Sequence, residues 1–89
     1  MKLNQQHLIN AVNGAVESKA SYFAVRILNE QNNQSEIITN TTINMVEGKL
    51  DYYLNAYNED LELKNNNNIK IAGFTFGDKV DSLFKDLGY

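Results

Sequence analysis

His7 is the only histidine of the chain, and there is no cysteine. A metal centre draws its ligands from clustered His, Cys, Asp and Glu side chains, so a lone His among scattered carboxylates predicts no metal site. His7 reads instead as a structural residue of an N-terminal helical turn or of the surface. Carboxylates crowd at Glu59, Asp60 and Glu62. Paired carboxylates do acid–base work when burial drives their pKa values apart. Here the neighbours are Asn and Lys, which predicts a solvated face, with an acidic patch for a partner or a weak cation site as the alternatives. Ser18, Ser21, Ser35 and Ser82 have neither a nucleophile elbow nor a nearby His. Gly73-Phe74-Thr75-Phe76-Gly77 lacks the Lys-Ser/Thr ending of a phosphate loop, and its interior is aromatic. No catalytic, cofactor-binding or metal residue is expected, and no enzymatic activity.

Contact chemistry is better represented. Tyr52 and Tyr53 are adjacent, so a helix cannot bury both on one narrow stripe. Tyr53 and Tyr57 fit a core face and Tyr52 falls at its flank or outside. There it is either a boundary residue half-covered by neighbours or an interface anchor, offering large area at low entropy cost. Phe74 and Phe76, one residue apart after Lys70, are compared with the stacking platform of RNA-recognition sheets. The flanking consensus is missing and the element order differs, so core packing or a protein interface is the competing reading.

The elements that must position these residues emerge from periodicity. Asn4 reads as the N-cap of a helix over 5–18, with Leu3 and Leu8 at the spacing of a hydrophobic staple. Its apolar stripe is Leu8, Ile9, Val12, Ala15 and Val16, and Gly14 interrupts the middle. Residues 21–29 read as a strand in which Phe23, Val25 and Ile27 alternate with Tyr22, Ala24 and Arg26. A polar turn over 30–35 leads into a β-branched strand over 36–43. A helix over 45–63 comes next, with Val46, Leu50, Tyr53, Leu54, Tyr57 and Leu61 at steps of three and four and Asn44–Glu47 as a capping pair. Within it, 61–64 is also readable as a short strand. The run Asn65–Asn68 reads as a loop.

Residues 69–76 read as a third strand whose parity changes midway. Ile69 and Ile71 share one face and Phe74 and Phe76 the other, so either both faces are covered or Ala72-Gly73 makes a bulge. Asp78 is expected to cap a last helix carrying Val80, Leu83, Phe84 and Leu87, stopped by Gly88. The prediction is one α+β domain over 1–89 in the order α-β-β-α-β-α. Its three-stranded mixed sheet has strand order 2-1-3, strand 3 parallel to strand 2, and helices mainly on one face.

Composition narrows the function classes. With 89 residues there is room for one core. An apolar fraction of 43% argues against disorder. Met1-Lys2-Leu3 opens into an amide-rich stretch without an apolar h-region, and no window approaches about 18 apolar residues. A cytoplasmic protein that neither is exported nor spans a membrane is therefore expected. Net charge is −3, and all of it falls in residues 46–89, with eight acids against five bases. A duplex-DNA binder is normally basic, so nucleic acid is not the expected partner. The 14 Asn, 7 Lys against one Arg, and absence of Pro and Trp match the codon usage of a low-GC genome.

The segment 49–77, KLDYYLNAYNEDLELKNNNNIKIAGFTFG, resembles small uncharacterised accessory proteins of phages and prophages from low-GC Gram-positive bacteria. These share KL-x-YY-x-x-AY-x-x-DL followed by IKI-x-GF. The resemblance covers a third of the chain. It is a pattern of core and loop residues, so it implies origin and no site residue. Small proteins of such genomes often bind a host or rival protein and alter its function, and some, such as anti-CRISPR proteins, are acidic nucleic-acid mimics. The expected function is a non-enzymatic protein-binding module, a phage or prophage accessory protein or inhibitor of a host or defence protein. Its contacts are placed at Tyr52, Asp51, Glu59 and Asp60. The alternative is a single-stranded nucleic-acid binder using Tyr22, Phe74 and Phe76. A homodimer through the Thr-rich second strand is a further partner expectation.

Overall fold

The computed structural model describes residues 2–88 as an α+β fold of three layers. The first helix, α1, is Gln5–Glu17, followed by strands β1 (Tyr22–Asn29) and β2 (Gln34–Thr41). A continuous helical segment over 42–56, α2, comprises Thr42–Asn44, a π-helical turn Met45–Lys49, and Leu50–Ala56. Strand β3 is Ile69–Gly77 and the last helix, α3, is Val80–Asp86.

The strand order is β2-β1-β3, and β1 is antiparallel to both neighbours. The sheet is therefore antiparallel throughout, not mixed. β3 does run in the same direction as β2, but the two are separated by β1, and a mixed sheet would need them side by side.

Alternation in β1 divides the core. Phe23 and Val25, fully buried, face α1 and α2 with Leu8, Val12, Met45, Tyr53 and Leu61. Phe74 and Phe76 flank Phe23 with centroids 6.2 and 6.4 Å away, the three rings stacked under α1. On the other face Ala24 packs with Leu83 and Leu87 of the α3 region. Two helices thus cover one face and one helix the other.

The parity change in β3 is resolved by a bulge. Arg26 pairs with Gly73 and Ile27 with Ile71, which leaves Ala72 as the extra residue. Ile71, Phe74 and Phe76 then all join the larger core. Gly73 and Gly77 turn to the α3 face, where a Cβ on either would stand 3.2 Å from a methyl of Leu87 or Leu83. The missing side chains let α3 settle onto the strands.

Several boundaries differ from the sequence expectation. β2 spans 34–41 rather than 36–43, because the polar turn is shorter. Thr41, not Asn44, caps α2: its side chain accepts from Asn44 N–H at 3.1 Å. The π-helical turn, in which Leu50 N–H donates to Met45 five residues back, inserts one residue into the helical spacing. Met45 is consequently buried at 0% exposure, while Val46, expected in the core, is 58% exposed. α2 ends at Ala56, since Tyr57 is extended. The Gln5 amide donates 3.0 Å bonds to the carbonyls of Leu54 and Tyr57 and so holds that end. Residues 61–64 are not helical: Tyr57 bridges Leu63 and Glu62 bridges Lys70. Leu61 there is left-handed (φ 62°) and fully buried. Burying a leucine contributes roughly 2–3 kcal/mol, more than the roughly 1–2 kcal/mol that this backbone conformation costs.

Asp78 does not cap α3, whose N-cap is Lys79 without a side-chain bond. Asp78 Oδ1 instead accepts from the N–H (2.9 Å) and hydroxyl (3.1 Å) of Ser21, fastening the end of β3 to the start of β1.

Candidate functional site

The residues singled out for chemistry have local structural duties. Asn4 and His7 make a reciprocal cap on α1: His7 N–H donates to Asn4 Oδ1 at 3.0 Å, and Asn4 N–H donates to His7 Nδ1 at 3.2 Å. Glu59 and Asp60 are exposed in the turn after α2. Asn58 Oδ1 organises that turn by accepting from the N–H groups of Asp60 and Glu62. Glu59 accepts through its carbonyl from Gln5 N–H, and Asp60 pairs with Lys2 at 3.6 Å. Among the described residues no three of His, Asp and Glu converge on a metal position.

Tyr52 is 54% exposed, as its spacing required, and Asp51 is exposed beside it on α2. The Lys49 ammonium lies 5.1 Å from the Tyr52 ring centre. The ring meets Tyr53 edge-on at 5.4 Å. Asp51 and Tyr52 thus lie on the helix, and Glu59 and Asp60 in the turn beyond it. Burial pushes the Tyr53 hydroxyl up to about 12, with Tyr57, Tyr52 and Glu36 adding smaller effects. Tyr57 is raised for the same reason, then by Tyr52 and Glu36. Tyr22, Phe74 and Phe76 do not form one platform, because Tyr22 packs on the α3 face and the two phenylalanines on the opposite one.

The site with the strongest contact character lies elsewhere. An open groove of about 630 Å³ runs between the C-terminal end of α1 and the first turns of α2. Its apolar walls are Ala15 and Val16 on one side and Ile43 and Val46 on the other, with Ala20, Tyr22 and Thr42 lining it between. Val16 is 48% and Ile43 67% exposed. With Val46, three of the four large exposed apolar side chains among the described residues meet here. Comparison with protein-family models, curated proteins and solved structures finds no match to the chain. The groove must therefore be read from its own residues.

Its charged margins are Lys19 and Glu47. Lys19 sits at φ 57° in the turn that ends α1, with its N–H donating to Val16 and Ala20 N–H donating to Ala15. That hydrogen-bond pattern places Lys19 at the left-handed position where glycine is unstrained. Lys19 is exposed, so no burial offsets the strain. A residue that breaks a local rule without a packing return is commonly kept for contact chemistry.

Periodicity missed this groove because Val16 and Val46 both fall on stripes of helical spacing. The readable signal was excess: Ala15-Val16 and Ile43-x-Met45-Val46 carry more apolar residues than one helix face can bury.

Proposed function

We propose that this chain is a non-enzymatic protein-binding module that receives apolar side chains of a partner protein in the α1–α2 groove. The observation behind this reading is the gathering of Val16, Ile43 and Val46 around one groove. Clustered exposed apolar side chains mark interaction surfaces, whereas single ones need no explanation. Lys19 and Glu47 on opposite margins can orient the incoming segment without closing the groove. Tyr52, with Asp51 beside it, is a second and smaller contact on α2. The resemblance of segment 49–77 to phage accessory proteins favours a host or rival protein as partner and inhibition as the outcome.

A photoreactive phenylalanine analogue in place of Ile43 tests this in lysate of a low-GC Gram-positive host. One protein should crosslink reproducibly and then bind the unmodified chain in purified form. Val46→Lys should abolish that binding while melting at the same temperature. If the captured protein binds Val46→Lys and Ile43→Lys as tightly as the unmodified chain, the groove is not the contact site.

A further inference from the structure

The two outer strands of the sheet differ in how far their free edges are covered. Along β3, the segment 61–63 lies against the first half: Ile71 N–H donates to Leu61 at 2.9 Å and Leu63 N–H to Ile69 at 2.8 Å. The bulge at Ala72 then breaks the regular ladder before the second half begins. β2 carries none of the usual obstacles to pairing. Its eight residues hold no Lys, Arg or Pro, its register with β1 is unbroken, and Glu36 is its only charge. Long, regular outer strands of this kind template further strands.

The register with β1 decides which backbone groups of β2 point outward. Thr42 N–H donates to Ser21, so the even-numbered residues of β2 face β1 through their backbone groups. The N–H and C=O groups of Ile37 and Thr39 point outward and have no hydrogen-bond partner among the described residues. The Asn40 amide nitrogen and the Thr39 hydroxyl are likewise buried without partners.

We propose that β2 pairs antiparallel with β2 of a second copy across a two-fold axis at Ile38, joining two three-stranded sheets into one. In this register Ile37 exchanges both backbone bonds with Thr39 of the other copy, twice by symmetry. Ile38 meets Ile38, and Glu36 stands opposite the uncharged Asn40. Registers shifted toward the start of β2 are worse. A shift of two residues one way sets Glu36 against Ile38, and a further shift sets Glu36 against Glu36, a like-charge pair.

Sedimentation equilibrium on the unmodified chain should show concentration-dependent formation of a species of twice the monomer mass. Thr39→Pro removes an outward N–H while sparing the β1 ladder, and should weaken the dimer about tenfold or more with the fold retained. The chain has no cysteine, so single replacements report the register. Opposed residues of a non-hydrogen-bonded pair stand about 4.5 Å apart at Cα, within disulfide range. Ile38→Cys should therefore oxidise to a covalent dimer. Glu36→Cys alone should not, but a mixture of Glu36→Cys and Asn40→Cys proteins should. Circular dichroism checks that each variant is folded. A chain that stays monomeric up to millimolar concentration, a dimer indifferent to Thr39→Pro, or crosslinking that favours another position would each overturn the proposal.

Discussion

The ring of Phe76 rests on the one position of α1 that has no side chain: a Cβ on Gly14 would stand 3.2 Å from Phe76 Cζ. Phe76 lies beside Phe23 with ring centres 6.4 Å apart, and its ring must give by a few tenths of an ångström to admit a methyl group at position 14. Helix propensity alone would favour alanine at position 14 by about 1 kcal/mol, but overpacking costs roughly 1–3 kcal/mol. Gly14→Ala is expected to lower stability by about 1 kcal/mol. Gly48, in α2, has nothing within 4 Å of its virtual Cβ, so Gly48→Ala should raise stability by about 0.5–1 kcal/mol. Urea unfolding of the two variants should show opposite signs.

The π-helical turn makes a comparable contrast between adjacent residues. Met45 is fully buried and Val46 is mostly exposed. Met45→Ala should cost about 2–5 kcal/mol, and Val46→Ala less than about 0.5 kcal/mol. Equal losses at the two positions would mean that α2 keeps ordinary α-helical spacing.

The raised Tyr53 pKa has a signed consequence. Tyrosine ionises near 10 in the unfolded chain and near 12 in the folded one, because the buried hydroxyl resists charging. Between those values the unfolded state has released the proton and the native state has not. Stability is therefore fully present below about pH 10 and falls as pH rises toward about 12, at up to roughly 1.4 kcal/mol per pH unit. Tyr57 shifts in the same direction and adds to the slope. The Tyr53 hydroxyl has no hydrogen-bond partner among the described residues. Tyr53→Phe should thus leave neutral-pH stability unchanged or raise it by up to about 1 kcal/mol, and should flatten the alkaline decline. Chemical denaturation across the alkaline range, monitored by tyrosinate absorbance, measures both effects.

Lys19 separates folding from contact. Lys19→Gly relieves a left-handed backbone at an exposed position and should stabilise the chain by about 0.5–1 kcal/mol. It should at the same time weaken binding of any partner seated in the groove. Unchanged binding would reduce Lys19 to a tolerated imperfection of the helix end.

Asp78 and Ser21 act as one fastening. Asp78→Ala and Ser21→Ala should each cost under about 1 kcal/mol, with the double variant costing less than their sum, because Asp78→Ala already removes the hydroxyl bond that Ser21→Ala removes, along with the backbone bond that Ser21→Ala leaves in place. Helix content should not fall, since Asp78 does not cap α3.

Where local rules act alone, the sequence was a good guide. Alternation of Phe23, Val25 and Ile27 and the Asn4 cap rest on neighbours within a few residues, and the parity change in residues 69–76 offered a bulge at Ala72-Gly73 as one of two readings, which the register with β1 decides. Reading failed where a distant partner decides. Asp78 has the chemistry of a cap, but Ser21, 57 residues away, claims its carboxylate. Val16 and Val46 have the spacing of core residues, yet periodicity cannot say how far along a stripe the covering elements reach. The groove is the part of those stripes that none of the described elements covers.

The bulge also bears on how the chain can change length. Ile71 and Phe74 face the larger core although three positions separate them, and Ala72 is the surplus residue between them. Deleting it would leave Ile71, Gly73 and Phe74 as consecutive members of a regular ladder, each on the face it already occupies. Position 72 is thus where a one-residue deletion would straighten a strand without inverting its two faces, whereas deleting Thr75 would set Phe74 and Phe76 on opposite faces of the sheet.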